Sequence, residues 1–149
     1  TIYFRYYLNQ ALKASGLGDQ FLDNLQIWRD QMALGLTTWA EMPEPSRSDC
    51  HAWGASPNIE FYRILLGIDS DAPGFRKIRI APSLGKLKEV SGTIPHPLGS
   101  VTAAYKLDER GEGTARLVLP EGTTGIFIWD GKEIPLKPGE QVISLSLRH

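Results

Sequence analysis

Residues 37–56 read Thr-Thr-Trp-Ala-Glu-Met-Pro-Glu-Pro-Ser-Arg-Ser-Asp-Cys-His-Ala-Trp-Gly-Ala-Ser, twenty positions without an apolar period. Structureless stretches of that length between ordered elements are usually functional. Two of the four tryptophans (Trp39 and Trp53), Glu41, Glu44, Arg47, Asp49 and His51 are concentrated here. Indole faces pack against the C–H-rich faces of a sugar ring, and charged or amide groups read its hydroxyls. Carboxylates are also the acids and bases of glycoside hydrolysis. Sugar chemistry is therefore the first expectation for this segment.

Residue by residue, the types also admit plainer roles. Glu41 fits a solvated or capping carboxylate as well as a base. Glu44, between Pro43 and Pro45, fits a structural support of the loop. Trp39 and Trp53 suit core lids as well as sugar platforms. In Asp49-Cys50-His51 a nucleophile stands beside a base in sequence, but chain neighbours rarely point at one another, and Cys50 reads as a small buried hydrophobe. Arg47 is expected to pair with a nearby acid. His96, in Pro95-His96-Pro97, reads as a turn residue, and His149 is terminal. No second His or Cys stands at zinc-ligand spacing.

The elements that must hold this loop are helical on both sides. Phe4, Tyr7, Leu8, Ala11 and Leu12 recur at helical spacing up to Ser15-Gly16. Asp19 is placed to cap a second helix with Phe21, Leu25, Trp28 and Met32 on one stripe and Gly35 beyond its end. After the loop, Ser56-Pro57 reads as an N-cap and a proline at the first helical position, and Phe61, Tyr62, Ile64, Leu65 and Leu66 run to Gly67. That third helix is apolar nearly all round.

From about Phe75 the period changes to two. Ile78 and Ile80 alternate with Lys77 and Arg79, and further runs are expected at 89–94, 100–107, 116–119, 124–129, 133–136 and 141–147. Asp130-Gly131 is a strong two-residue hairpin signal. About seven short strands in this half predict a β-sandwich. Charge divides along the same line: residues 1–73 hold five basic and nine acidic side chains, net −4, and residues 74–149 eleven and eight, net +3. The polar segment 69–74 is the expected boundary. Three helices cannot enclose a core alone, so they are expected to lean on the sandwich or on helices outside this chain.

Composition bounds the rest. The chain has 149 residues, 42% apolar and 22% charged, with a net charge of −1. A packed core is expected, and no basic footprint for nucleic acid or an anionic membrane is present. No apolar run reaches membrane-span length, and the start, Thr1-Ile2-Tyr3-Phe4-Arg5, lacks the layout of a signal peptide. The chain reads as excised from something longer. A single cysteine excludes an intrachain disulfide framework.

The ordered series Thr37-Thr38-Trp39-Ala40-Glu41, residues 46–56, Phe61-Tyr62-Arg63-Ile64-Leu65-Leu66-Gly67-Ile68, Pro73-Gly74-Phe75-Arg76-Lys77-Ile78 and Ile80-Ala81-Pro82 resembles the C-terminal region of bacterial α-L-rhamnosidases of glycoside hydrolase family 78, over nearly the whole chain. The resemblance implies an α+β multidomain fragment: residues 1–73 as the C-terminal helices and catalytic loop of an (α/α)6 barrel, and residues 74–149 as a C-terminal antiparallel β-sandwich. It implies that Glu41, at the end of a Thr-Thr-x-x-Glu segment, is the general base of an inverting hydrolysis. His51 then matches a histidine that contacts rhamnose; Trp39 and Trp53 are substrate-binding candidates by residue type, beside it in the loop.

The general acid and an acidic sugar-holding cluster are expected upstream of Thr1, and no metal or organic cofactor is required. The expected partners are a rhamnose-containing glycoside or oligosaccharide, the rest of the barrel N-terminal to Thr1, and a second copy as another cover for exposed helix faces. No nucleic-acid or membrane partner is expected, and the compartment of this bacterial type stays open. Two alternatives stand beside this reading: a noncatalytic carbohydrate-binding or structural module, and part of another (α/α)6 sugar enzyme.

Overall fold

The computed structural model describes residues 1–146. Leu147, where the last expected strand ends, and His149 lie outside the described residues. The chain divides into two units, Thr1–Phe61 and Tyr62–His149.

In the first unit, helix α1 spans Phe4–Ala14, and its last turn closes with the Ser15 N–H and hydroxyl both donating to the Ala11 carbonyl. Its inward positions differ from the expected stripe. Asn9 and Leu12 are buried, whereas Phe4 and Tyr7 are 64% and 46% exposed. The second helix is shorter than its periodicity predicts. Two 3-10 turns, Gly18–Gln20 and Asp23–Leu25, precede α2 at Gln26–Ala33, so Asp19 lies within the first of them and Leu25 stands at the start of α2. Phe21, Leu25 and Trp28 are buried as expected, but Met32 faces out and Gln31 takes the inner place. Gly35 ends the segment at φ +79°, a conformation that glycine adopts without steric cost. Helix α3 is a single turn, Pro57–Glu60, with proline in its first turn; Ser56 makes no side-chain cap bond. It continues as a π-helical turn, Phe61–Leu65, in place of the regular helix expected there.

The second unit is built on eight strands: β1 Ile68–Ser70, β2 Lys77–Ile80, β3 Glu89–His96, β4 Gly99–Leu107, β5 Gly113–Leu119, β6 Thr124–Trp129, β7 Lys132–Leu136 and β8 Gly139–Leu145. They form two four-stranded sheets, ordered β1-β2-β6-β7 and β3-β4-β5-β8. The second sheet is antiparallel throughout. The first is not, because β2 and β6 pair in parallel, Ile78 opposite Gly125 and Ile80 opposite Phe127. The chain leaves for the other sheet after β2 and returns running the same way at β6, so the expectation of a purely antiparallel sandwich is corrected for that pair. Asp130 and Gly131, at φ 49° and 71°, make the predicted tight hairpin between Trp129 and Lys132.

Both sheets turn alternate residues into one core: Ile68, Ile78, Ile80, Phe127 and Leu136 from the first, Val101, Tyr105, Leu117, Leu119 and Leu145 from the second. Leu66 joins this core and lies where a Cβ on Gly92 would stand, 2.4 Å from its Cδ1. The buried Tyr105 hydroxyl donates to the Leu66 carbonyl at 2.8 Å, and burial raises its pKa, which keeps it a donor. Leu66 and Ile68 belong to this core, within the unit that begins at Tyr62. Strand β1 runs into the segment 69–74 expected as the boundary; it is three residues long, and Ile68 is its one apolar residue.

Candidate functional site

The loop between α2 and α3 has no strand, yet its two arms are tied side by side. The Glu41 N–H donates to the Ser48 carbonyl at 2.9 Å, the His51 N–H to the Trp39 carbonyl at 2.8 Å, and the Thr38 hydroxyl to the Asp49 carbonyl at 2.5 Å. Residues 42–47 form the tip. The outgoing arm is anchored from behind by Gln31: its Nε2 donates to the Ala40 carbonyl at 3.1 Å, and its Oε1 accepts the Ala40 N–H at 2.9 Å. A buried primary amide thus replaces a neighbouring strand for one residue, satisfying backbone groups that burial would otherwise orphan. Ile2, fully buried, donates its N–H to the Glu41 carbonyl at 3.3 Å. The returning arm is held by the Trp28 indole, whose N–H donates to the Gly54 carbonyl at 2.7 Å. Gly54 is required there, since a Cβ would stand 2.3 Å from Trp39 Cβ.

These ties set Glu41 opposite Arg47 and near His51. The Arg47 Nε donates to Glu41 Oε2 at 3.1 Å, and its Nη2 contacts Oε1, a two-pronged guanidinium–carboxylate pair. The Glu41 side chain is 12% exposed against 75% for Arg47. The Arg47 hydrogen bond holds the Glu41 carboxyl below the usual carboxylate range; partial burial opposes this, and the charges of Arg47 and His51 reinforce it. The group is therefore an ionised, mostly covered carboxylate, the protonation state a general base needs.

The candidate residues are not all gathered. The His51 ring acts electrostatically on Glu41. Trp53, 52% exposed, meets Tyr3 edge-on at 4.5 Å, and the Tyr3 and Tyr7 hydroxyls are 3.1 Å apart, so it belongs to an exposed aromatic cluster at the start of α1. Trp39 is half-buried and lines a different place, an apolar cleft of about 360 Å³ with Leu22, Leu25, Trp28, Met32, Pro57 and Phe61. Arg29 and Asn58 are the polar side chains on its wall, too few to read a sugar's hydroxyls.

Glu44 is exposed, and its Oε2 accepts the Ser46 N–H at 3.3 Å. Cys50 is exposed rather than buried, because the returning arm runs along the surface. His96 is no turn residue: it ends β3, is buried, accepts the Leu98 N–H at Nδ1 and therefore donates from Nε2 to the Phe75 carbonyl at 2.8 Å. Among the described residues no group of three or more His, Cys, Asp or Glu side chains is placed to hold a metal ion, and no helix is long and apolar enough to cross a membrane.

Gln31 escaped the sequence reading. Its spacing from Trp28, three positions along the helix, places it on the same face and could have marked it.

Residues 67–140 match the family model of the bacterial alpha-L-rhamnosidase C-terminal domain. No curated protein sequence matches the chain. Among solved structures, the native α-L-rhamnosidase of Aspergillus terreus is similar at a TM-score of 0.83 and 20% identity, over 94% of this chain and 18% of its own. The family 78 rhamnosidase of Bacillus sp. GL1 is similar at 0.60 and 23% identity, over 85% and 16%. The Streptomyces avermitilis α-L-rhamnosidase, solved with L-rhamnose, is similar at 0.52 and 19% identity, over 72% and 11%. These likenesses establish a shared fold, and the chain spans less than a fifth of the length of each.

Proposed function

Since residues 67–140 match the family model of the bacterial alpha-L-rhamnosidase C-terminal domain, we propose that the chain is the C-terminal part of a longer inverting glycoside hydrolase that releases L-rhamnose from α-L-rhamnosides. In this reading residues preceding the sheets are the last helices of an (α/α)6 barrel and Glu41 is the general base. The exposed apolar side chains Phe4, Tyr7, Met32 and Leu34 support the first part, since helices that end a barrel need neighbours to cover such faces.

The observation that carries the proposal is the state of Glu41. An inverting reaction needs one carboxylic acid at the leaving oxygen and an ionised carboxylate about 6.5–9.5 Å away to take a proton from water. The hydrogen bond from Arg47, with the charges of Arg47 and His51, favours the ionised form of Glu41, whose side chain is mostly covered. His51, beside it, supplies donors for sugar hydroxyls, and the exposed Trp53 face supplies a stacking surface. The partner acid is assigned to the part of the enzyme outside this chain.

The test is hydrolysis of an aryl α-L-rhamnoside by the longer enzyme carrying Glu41→Gln, with proton NMR following the anomer first released. Loss of turnover in the variant and inversion in the wild type are expected. Retention of configuration, or unimpaired turnover in the variant, refutes the assignment.

A further inference from the structure

The tip of the loop returns a charged side chain onto the carboxylate at its base. Pairing of the Glu41 N–H with the Ser48 carbonyl sets Ser48 across from Glu41 and its neighbour Arg47 within reach, and both guanidinium prongs reach the two carboxylate oxygens. We propose that Arg47 is a positioning residue for Glu41, fixing the plane of its carboxylate for proton transfer from water. This inference rests on the reading of Glu41 as the base.

Geometry carries it in two ways. A carboxylate has about four lone-pair directions, and a two-pronged guanidinium takes one on each oxygen, which fixes the plane and leaves the others for a water molecule. The Glu41 side chain is also 12% exposed, and such covering disfavours charge unless a counter-charge is supplied. Arg47 itself is 75% exposed, so removing it opens little of the unit's interior. Arg47 and His51 both favour the ionised form, the former most strongly through its hydrogen bond. The other charged side chains on the loop, α1 and α2 are Glu44, Asp49, Arg5, Lys13, Arg29 and Asp30.

Two measurements test it. In the 149-residue chain, the carboxyl ¹³C shift of Glu41 is followed against pH in the wild type, Arg47→Gln and Arg47→Lys. In the longer enzyme, kcat/KM for an aryl α-L-rhamnoside is followed against pH for the same three and for Glu41→Gln. The carboxyl should titrate at higher pH in Arg47→Gln, and the acid limb of the rate profile should move up with it. Arg47→Lys should return both toward wild type while its plateau stays lower, because an ammonium restores charge but not the fork.

A Glu41 titration that does not move in a folded Arg47→Gln chain overturns the proposal, as does an acid limb that stays put while the titration moves. If Glu41→Gln is fully active, the reading of Glu41 as base fails instead, and the carboxyl shift still reports the pairing on its own.

Discussion

Two glutamates stand three positions apart in the loop, in opposite circumstances. Glu41 has a mostly covered carboxylate with a guanidinium on both oxygens; Glu44 is exposed and touches one backbone N–H. Replacing Glu41 by Gln keeps size and removes the proton acceptor, so kcat of the longer enzyme should fall by about 10²-fold or more, whereas Glu44→Gln should leave kcat within about tenfold. Steady-state kinetics on both variants checks this, and a collapse confined to Glu44→Gln would move the base to that residue. The sign of the pH effect follows from the lowered pKa of Glu41. Its ionised form persists below the usual carboxylate range, so its ion-pair contribution to folding is present above the unfolded-state pKa and is lost as pH falls through the lowered folded value. Activity that depends on that charge fails on the same acid side.

At the scale of elements, the junction between the π-helical turn and β1 depends on one residue. Gly67 sits at φ +75°, and a Cβ there would lie 2.2–2.4 Å from the backbone of Ala81 and Pro82. Its carbonyl accepts the Ala81 N–H at 2.9 Å, so the two segments cannot simply separate. Gly67→Ala combines a disfavoured backbone conformation with a clash against main chain, and should destabilise the second unit by about 3 kcal/mol. Denaturant unfolding of the variant against wild type would measure it; a loss below about 1 kcal/mol would mean that the junction yields.

At the scale of the whole molecule, the second unit owns its core. Every residue of the main apolar cluster, from Leu66 to Leu145, belongs to it. Residues 62–149 expressed alone should therefore unfold in one cooperative transition, as single domains of this size commonly do, and circular dichroism against temperature would reveal it. A broad, non-cooperative melt would show that the sheets need the helical segment. Catalysis is expected to divide differently. With the general acid assigned outside it, the 149-residue chain should release no detectable nitrophenol from an aryl α-L-rhamnoside, since losing one of two cooperating groups removes roughly 10²–10⁴ of rate. Measurable release would overturn that assignment.

Local chemistry made much of this legible in the residues alone. A period of two placed β2 to β8, because one face of each strand must be apolar, and Asp130-Gly131 announced its hairpin because few residue pairs accept two consecutive positive φ angles. The long unpatterned loop and its charged residues were visible as a group, and so was the expectation that Arg47 would find an acid. Only tertiary structure decided which acid, because the choice depends on hydrogen bonds between arms that sequence does not pair. It also decided that Gln31 faces inward while Met32 faces out, that Phe4 and Tyr7 stay exposed on α1, and that Trp39 and Trp53 part company into a cleft and a surface cluster. Strand β1 and the parallel β2–β6 pair were invisible for a related reason. Three residues with one apolar side chain carry no period, and strand direction is set by the path of the chain between sheets rather than by any pattern within a strand.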